Sequence, residues 1–258
     1  MVHWHCLAIV LSGILSACVS QEMKALDLTH AFDEETIYWP NNQHFHRENT
    51  AHGMTTKGYW YASGRFSASE HGGTHMDAPN HFAASGTGID GIPVDQFMGP
   101  AIVIDIQPQC QKNPDYTLTV SDIHDWESTF GRIDPHTLVL LRTGWGKYWP
   151  DKARYLGSPT PDDPMTLHFP GFSGEAMTFL VHERQIRGVG IDTASIDPGQ
   201  SRDFIAHRVL SEANHYALEN VAALDQVPPI GAMMYSFPIK IKDGTGGPVR
   251  ILAIIPSQ

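Results

Sequence analysis

Cysteine is scarce in this chain, with three in 258 residues, at positions 6, 18 and 110. A fold stapled by disulfides needs more than that, so this one has to be held by its apolar core. Positive charge is also short. Lys and Arg number 17 against 28 Asp and Glu, for a formal charge of −11. No basic run or stripe offsets the deficit, which excludes nucleic acid as a partner. There is no repeat and no low-complexity tract. Long hydrophobic runs are missing too: the longest, "CLAIVLSGILSAC" (6–18), is too short to span a bilayer as a helix. What is present is an ordinary 41% hydrophobic content, enough for one substantial core, and an unusual 15 histidines. Histidine is the commonest metal ligand and the side chain that titrates nearest neutrality.

The 6–18 run has the length of a signal-peptide h-region and ends in small residues. Leu15-Ser16-Ala17-Cys18 resembles a bacterial lipobox, in which the cysteine becomes the lipidated first residue. "MVHWHC" departs from the usual pattern, since it has no Lys or Arg. The expectation is a signal peptide over 1–17, a lipid on Cys18 and a place in the cell envelope or periplasm. An ordinary buried N-terminal helix and a cytoplasmic protein are the alternative. With Cys18 blocked, Cys110 has no partner within the chain and reads as a buried free thiol.

Composition does not shift after about residue 22, so residues 25–258 read as one domain. Short apolar runs bounded by Gly, Pro or Asp read as strands: "AIVIDI" (101–106), "TLVLLRT" (137–143), "GVGIDT" (188–193) and "RILAIIP" (250–256). The first two are apolar throughout, as in strands buried on both faces. Helices are expected at 119–131, capped by Ser121 and Gly131, and at 173–188, capped by Ser173 and stopped by Gly188. A third is expected from Arg202 to about Ala213. Strands alternating with helices give an α/β fold with a mixed sheet. Trp39, Trp60, Trp145 and Trp149 stand beside Gly, Pro or other aromatics, where they either line a ligand pocket or pack at an edge. Trp60 and Trp149 are the substrate-binding candidates.

The densest chemistry lies in "EHGGTHMDAPNHF" (70–82). His71 and His75 are four apart, but Gly72, Gly73 and Pro79 argue against a helix. His75 and Asp77 are two apart, which places them on one face of a strand. A glycine-kinked loop entering that strand would bring His71 round to meet them. Two imidazoles and a carboxylate suit Zn²⁺, Mn²⁺ or Fe²⁺ and leave a position open for water. His81 is either a fourth ligand or the group that carries the proton. A polar surface turn is the simpler alternative. Far downstream, Glu219 opens the apolar "ENVAAL", where its burial is costly unless it is paired or metal-bound. His207 lies in a helix-like stretch, where a lone histidine is ordinarily structural.

"HGGTHMDAPNH" (71–81) resembles the His-x-Gly-Thr-His-x-Asp-x-Pro-x-His signature of the cyclase-like metal hydrolases, the family of the bacterial kynurenine formamidases and isatin hydrolases. "GVGIDTASIDPGQSRDFIAH" (188–207), "ALENVAALDQVPPIGA" (217–232) and "PIKIKDGTGGPVRILAI" (238–254) are similar to its later blocks. The resemblance runs from "ALDLTH" (25–30) to the end. It implies metal ligation by His71, His75 and Asp77, with His81 as acid/base. The family's His/Glu pair twelve residues apart falls on His207 and Glu219. Asp192 and Asp197 are expected to be structural or to hydrogen-bond a ligand imidazole. It also implies one or two Zn²⁺ or Mn²⁺ ions, a compact α/β fold with a barrel-like sheet flanked by helices, and a homo-oligomer. The implied activity is hydrolysis of a non-peptide C–N bond in a small aromatic amide, either an aryl formamide such as N-formylkynurenine or a cyclic amide such as isatin. Lactone hydrolysis or cyclisation on the same scaffold is the nearest rival. A non-catalytic, lipid-anchored metal-binding protein is the other, and it would have no use for His81.

Overall fold

The computed structural model describes residues 22–256, so the proposed signal segment and Cys18 lie outside the described residues. In chain order the elements are β1 (Met23–Asp27), β2 (His46–Met54), β3 (Trp60–Ser67), β4 (His75–Asp77), β5 (Met98–Asp105), α1 (Gln107–Cys110), β6 (Thr117–Leu118), α2 (Val120–Phe130), β7 (Leu138–Arg142), α3 (Lys152–Tyr155), β8 (Gly171–Phe172), α4 (Gly174–Glu183), β9 (Gly188–Ile191), α5 (Ile205–Glu212), β10 (Tyr216–Glu219), β11 (Ala232–Pro238) and β12 (Gly246–Pro256). The main sheet runs β1-β12-β11-β5-β7-β9-β10-β4, and β4 pairs back to β12. Seven strands therefore close into a ring, and β1 is added on β12 outside it. β5, β7, β9 and β10 are parallel, while the other pairings are antiparallel. This is the mixed, barrel-like α/β sheet expected from the alternation of runs.

Period-two alternation divides the core in two. Ala101 and Val103 of β5, Leu138 and Leu140 of β7, Met76 of β4 and Ile251, Ala253 and Ile255 of β12 fill the barrel. Ile102, Ile104, Val139, Leu141, Val189 and Ile191 point outward and are covered by α2, α4 and α5. That double burial explains the unbroken apolar runs of β5 and β7. No helix among the described residues is long and apolar enough to cross a membrane.

The helix boundaries differ from expectation in instructive ways. The cap of α2 is Thr119 rather than Ser121: its hydroxyl accepts from the Asp122 N–H, and Asp122 accepts the Thr119 N–H in return, a closed capping box. Ser173 does cap α4, but the helix stops at Glu183. Gln185 takes a positive φ of 52°, and Gly188 opens β9 rather than closing the helix. α5 starts at Ile205, after Phe204 in the left-handed region. Two pairs lie outside the main sheet: β6 with β8, and β2 with β3, the latter an arm whose two faces are largely exposed.

Candidate metal centre

β4 carries the site on three residues. His75 and Asp77 project from its outer face, and Met76 between them is buried in the barrel. Glu219, at the end of β10, is the register partner of His75. His207 enters from the first turn of α5, and His71 from the loop before β4. Two glycines make that loop possible. Gly72 lies so close to Tyr38 that any side chain would overlap its ring, and Gly73 adopts φ +57°, the left-handed region. The structure thus brings His71, His75, Asp77, His207 and Glu219 to one place, from segments up to about 150 residues apart.

Asp77 is the hub. Its Oδ1 is 2.6 Å from His71 Nδ1 and 3.2 Å from His75 Nε2, and its Oδ2 is 3.2 Å from His207 Nε2. Glu219 faces His75 Nε2 at 3.4 Å and His207 Nε2 at 3.1 Å. Each imidazole has its other nitrogen committed outward. His75 Nδ1–H donates to the Gly73 carbonyl, and His207 Nδ1–H to Asp197 Oδ2 at 2.7 Å. His71 Nε2 meets Thr245 Oγ1 at 2.9 Å. The inward nitrogens converge on two carboxylates, and His75 Nε2 has no hydrogen-bond partner of its own. Converging imidazole nitrogens and carboxylates suit a divalent cation. Two groups that share Asp77 meet ligand spacing: His75, Asp77 and Glu219, and His71, Asp77 and His81.

The imidazoles and carboxylates also perturb one another's titration. Burial and the neighbouring Asp77 charge raise Glu219 above its ordinary range. Burial also opposes ionisation of Asp77, yet His75 and His71 hold it well below the usual carboxylate range. Burial opposes charge on His75 as well, but Asp77 and Glu219 push it up to about 9. His81 goes the other way: burial brings it down to about 4, a neutral imidazole at pH 7. Its ring stacks on His71, with centroids 3.8 Å apart.

Asp197 accepts from the Ala206 and His207 N–H groups as well as from His207 Nδ1, so one carboxylate both satisfies the first turn of α5 and orients the His207 ring. Asp192 serves elsewhere, accepting from Thr143 and from the Gly144 N–H. His215 sits away from the cluster, beyond the end of α5.

A cavity of about 250 Å³ opens on the cluster. Its apolar wall is Trp39, Phe82 and Phe204, with Phe204 centred 6.2 Å from Trp39 and 5.5 Å from Phe82. Of the four tryptophans singled out above, only Trp39 lines this cavity. Trp60 is on the β2–β3 arm and 58% exposed. Trp149 stacks on His30 at 4.2 Å, outside the lining, and Trp145 is buried, donating to the Tyr155 carbonyl. Phe82 and Phe204 went unnoticed in the sequence. Phe82 adjoins the histidine motif, a usable signal, whereas nothing local marks Phe204.

The Cyclase family model matches residues 26–198. An isatin hydrolase of Roseibium aggregatum is 35% identical over 195 residues, covering 72% of each chain. A kynurenine formamidase of Salinibacter ruber is 29% identical over 234 residues, 88% of this chain and 96% of its own. Among solved structures, isatin hydrolase A from Labrenzia aggregata superposes with a TM-score of 0.83 at 36% identity, covering 91% of this chain and 94% of its own. Its clustered imidazoles and carboxylates, its closed mixed barrel and these matches make this chain a member of the Cyclase family of hydrolases.

Proposed function

We propose that the site hydrolyses the C–N bond of a small aromatic amide, with an aryl formamide of the N-formylkynurenine type as the first substrate class. The observation that carries this reading is the placement of His81, stacked on His71 between a buried ligand cluster and an aromatic-walled cavity. His71, His75, Asp77, His207 and Glu219 would hold Zn²⁺ or Mn²⁺, one ion or two around Asp77. When bound, such an ion acidifies a water and polarises a carbonyl. His81 takes the proton from the attacking water and returns it to the departing nitrogen. Trp39, Phe82 and Phe204 orient the aryl ring and keep bulk water from it. A non-catalytic metal-binding protein would need neither the cavity nor His81.

Cyclic amide hydrolysis of the isatin type is the second reading, favoured by the higher identity to isatin hydrolases. A hydrolysis panel of N-formylkynurenine, isatin and simple lactones, with Zn²⁺ or Mn²⁺ supplied, separates the two. Turnover of lactones alone would sink the amide proposal.

The assembly belongs to the same reading. Met54, Tyr59, Trp60, Tyr61 and Phe66 are exposed on the β2–β3 arm. A lone two-stranded ribbon is marginal in water. The arm carries Arg47, Lys57 and Arg65 against Glu48, within a chain of net charge −11. A second copy, acidic outside its own arm, is the complementary cover, and Trp60 would act within that interface. Sedimentation should show a dimer that Trp60→Ser with Tyr61→Ser dissociates; a wild-type monomer at micromolar concentration would remove the proposal. We also place the protein in the envelope, held by a lipid on Cys18. Labelled palmitate should enter the wild type and not Cys18→Ser, and a wholly cytosolic wild type would refute this.

A further inference from the structure

His75 and His207 are oriented by direct partners, a main-chain carbonyl and the Asp197 carboxylate. His71 is held through a relay. Its Nε2 lies 2.9 Å from Thr245 Oγ1, across 174 residues of sequence. Thr245 Oγ1 lies 2.5 Å from Glu70 Oε2, and the Thr245 N–H donates to the same oxygen at 2.9 Å. A carboxylate can only accept. The Thr245 hydroxyl proton therefore goes to Glu70, and the Thr245 oxygen is left to accept. The proton between Thr245 and His71 belongs to His71 Nε2. Nδ1 hydrogen-bonds Asp77 Oδ1 at 2.6 Å, and with a cation bound it is the nitrogen that would give up its proton and ligate, since Nε2 keeps its own.

We propose that Glu70 and Thr245 form a positioning pair that sets His71 as a ligand through Nδ1. The inference rests on the metal reading of the site given above. Glu70 turns the hydroxyl, and the hydroxyl oxygen selects the tautomer and fixes the ring plane. Without the hydroxyl, His71 is free to rotate and to present an N–H toward the cation. Without Glu70, Thr245 turns and donates to Nε2, which favours the opposite tautomer. Removing Glu70 therefore weakens metal binding although every ligand is still present.

The test uses the full chain stripped with a chelator and titrated calorimetrically with Mn²⁺ or Zn²⁺ alone, with thermal melting of the stripped proteins in parallel. Thr245→Val and Glu70→Ala should each weaken binding roughly 10- to 100-fold, while Thr245→Ser stays within about threefold of wild type. The stripped variants should melt close to wild type, which separates a positioning role from a structural one. A Thr245→Val protein with wild-type affinity, or a Thr245→Ser protein no better than Thr245→Val, overturns the positioning pair and leaves the metal site standing. A wild type that binds neither ion overturns the metal reading, and the pair falls with it.

Discussion

His81 and Gly246 show how single residues govern this centre. His81 stacks on His71 and is buried enough to stay neutral at pH 7, the state a proton acceptor needs. His81→Ala should lower kcat by about 10²- to 10⁴-fold, with metal content by elemental analysis near wild type. Equal loss of metal would instead put His81 among the ligands, through its grouping with His71 and Asp77. Gly246 is constrained by close approach: a Cβ there would stand 2.6 Å from His71 Cε1 and from the Met76 carbonyl. Gly246→Ala should therefore both displace the His71 ring and cost about 1–3 kcal/mol of stability, measured by denaturant unfolding. The legible part of the site was the part written consecutively, His71 through His81, where residue type and spacing carry the chemistry on their own. Glu219 was hinted at by a carboxylate opening an apolar run. Thr245 and Phe204 gave no signal, because a hydroxyl in a loop and a lone Phe acquire meaning only from neighbours many residues away.

At the scale of elements, α2 and α4 are joined by one nearly buried ion pair. Arg184 Nε donates to Glu127 Oε1 at 2.6 Å and Nη2 to Oε2 at 2.8 Å, a bidentate fork. The Arg184 hydrogen bond pulls Glu127 from 4.5 down to about 2. Its folded pKa lies below its unfolded one, so the stabilisation is fully present above about pH 4.5 and is lost as pH falls toward 2. Removing one partner also strands a buried charge. Glu127→Gln should thus cost roughly 3 kcal/mol at pH 7 and flatten the acid slope of stability between those values, as followed by urea unfolding across pH. Long apolar strands and capped helices were readable because burial on one or two faces leaves a periodic trace. β4 and β10, at three and four residues, are too short for any period to register. The β2–β3 arm has no consistently buried face to leave one.

For the whole molecule, the metal reading of the site predicts that ligation and folding are coupled. Apposed buried carboxylates cost stability unless a cation lies between them. Stripping the protein with EDTA should therefore lower its melting temperature by about 5–10 °C, and readdition of Mn²⁺ or Zn²⁺ should restore it in differential scanning calorimetry. The seven-strand ring depends on one long strand. β12 pairs with β11 along one edge, and on the other it meets β4 through Gly246–Pro248 and β1 through Leu252–Pro256. β4 has β10 on its far side, so both of its neighbours are synthesised more than 130 residues after it. A chain leaving the ribosome exposes its histidine motif early, with no strand on either side to hold it. The clustered site is complete only when the C-terminal strand docks. On the metal reading of the site, cation uptake follows that docking, and truncation before Gly246 would abolish it without removing any of the proposed ligands.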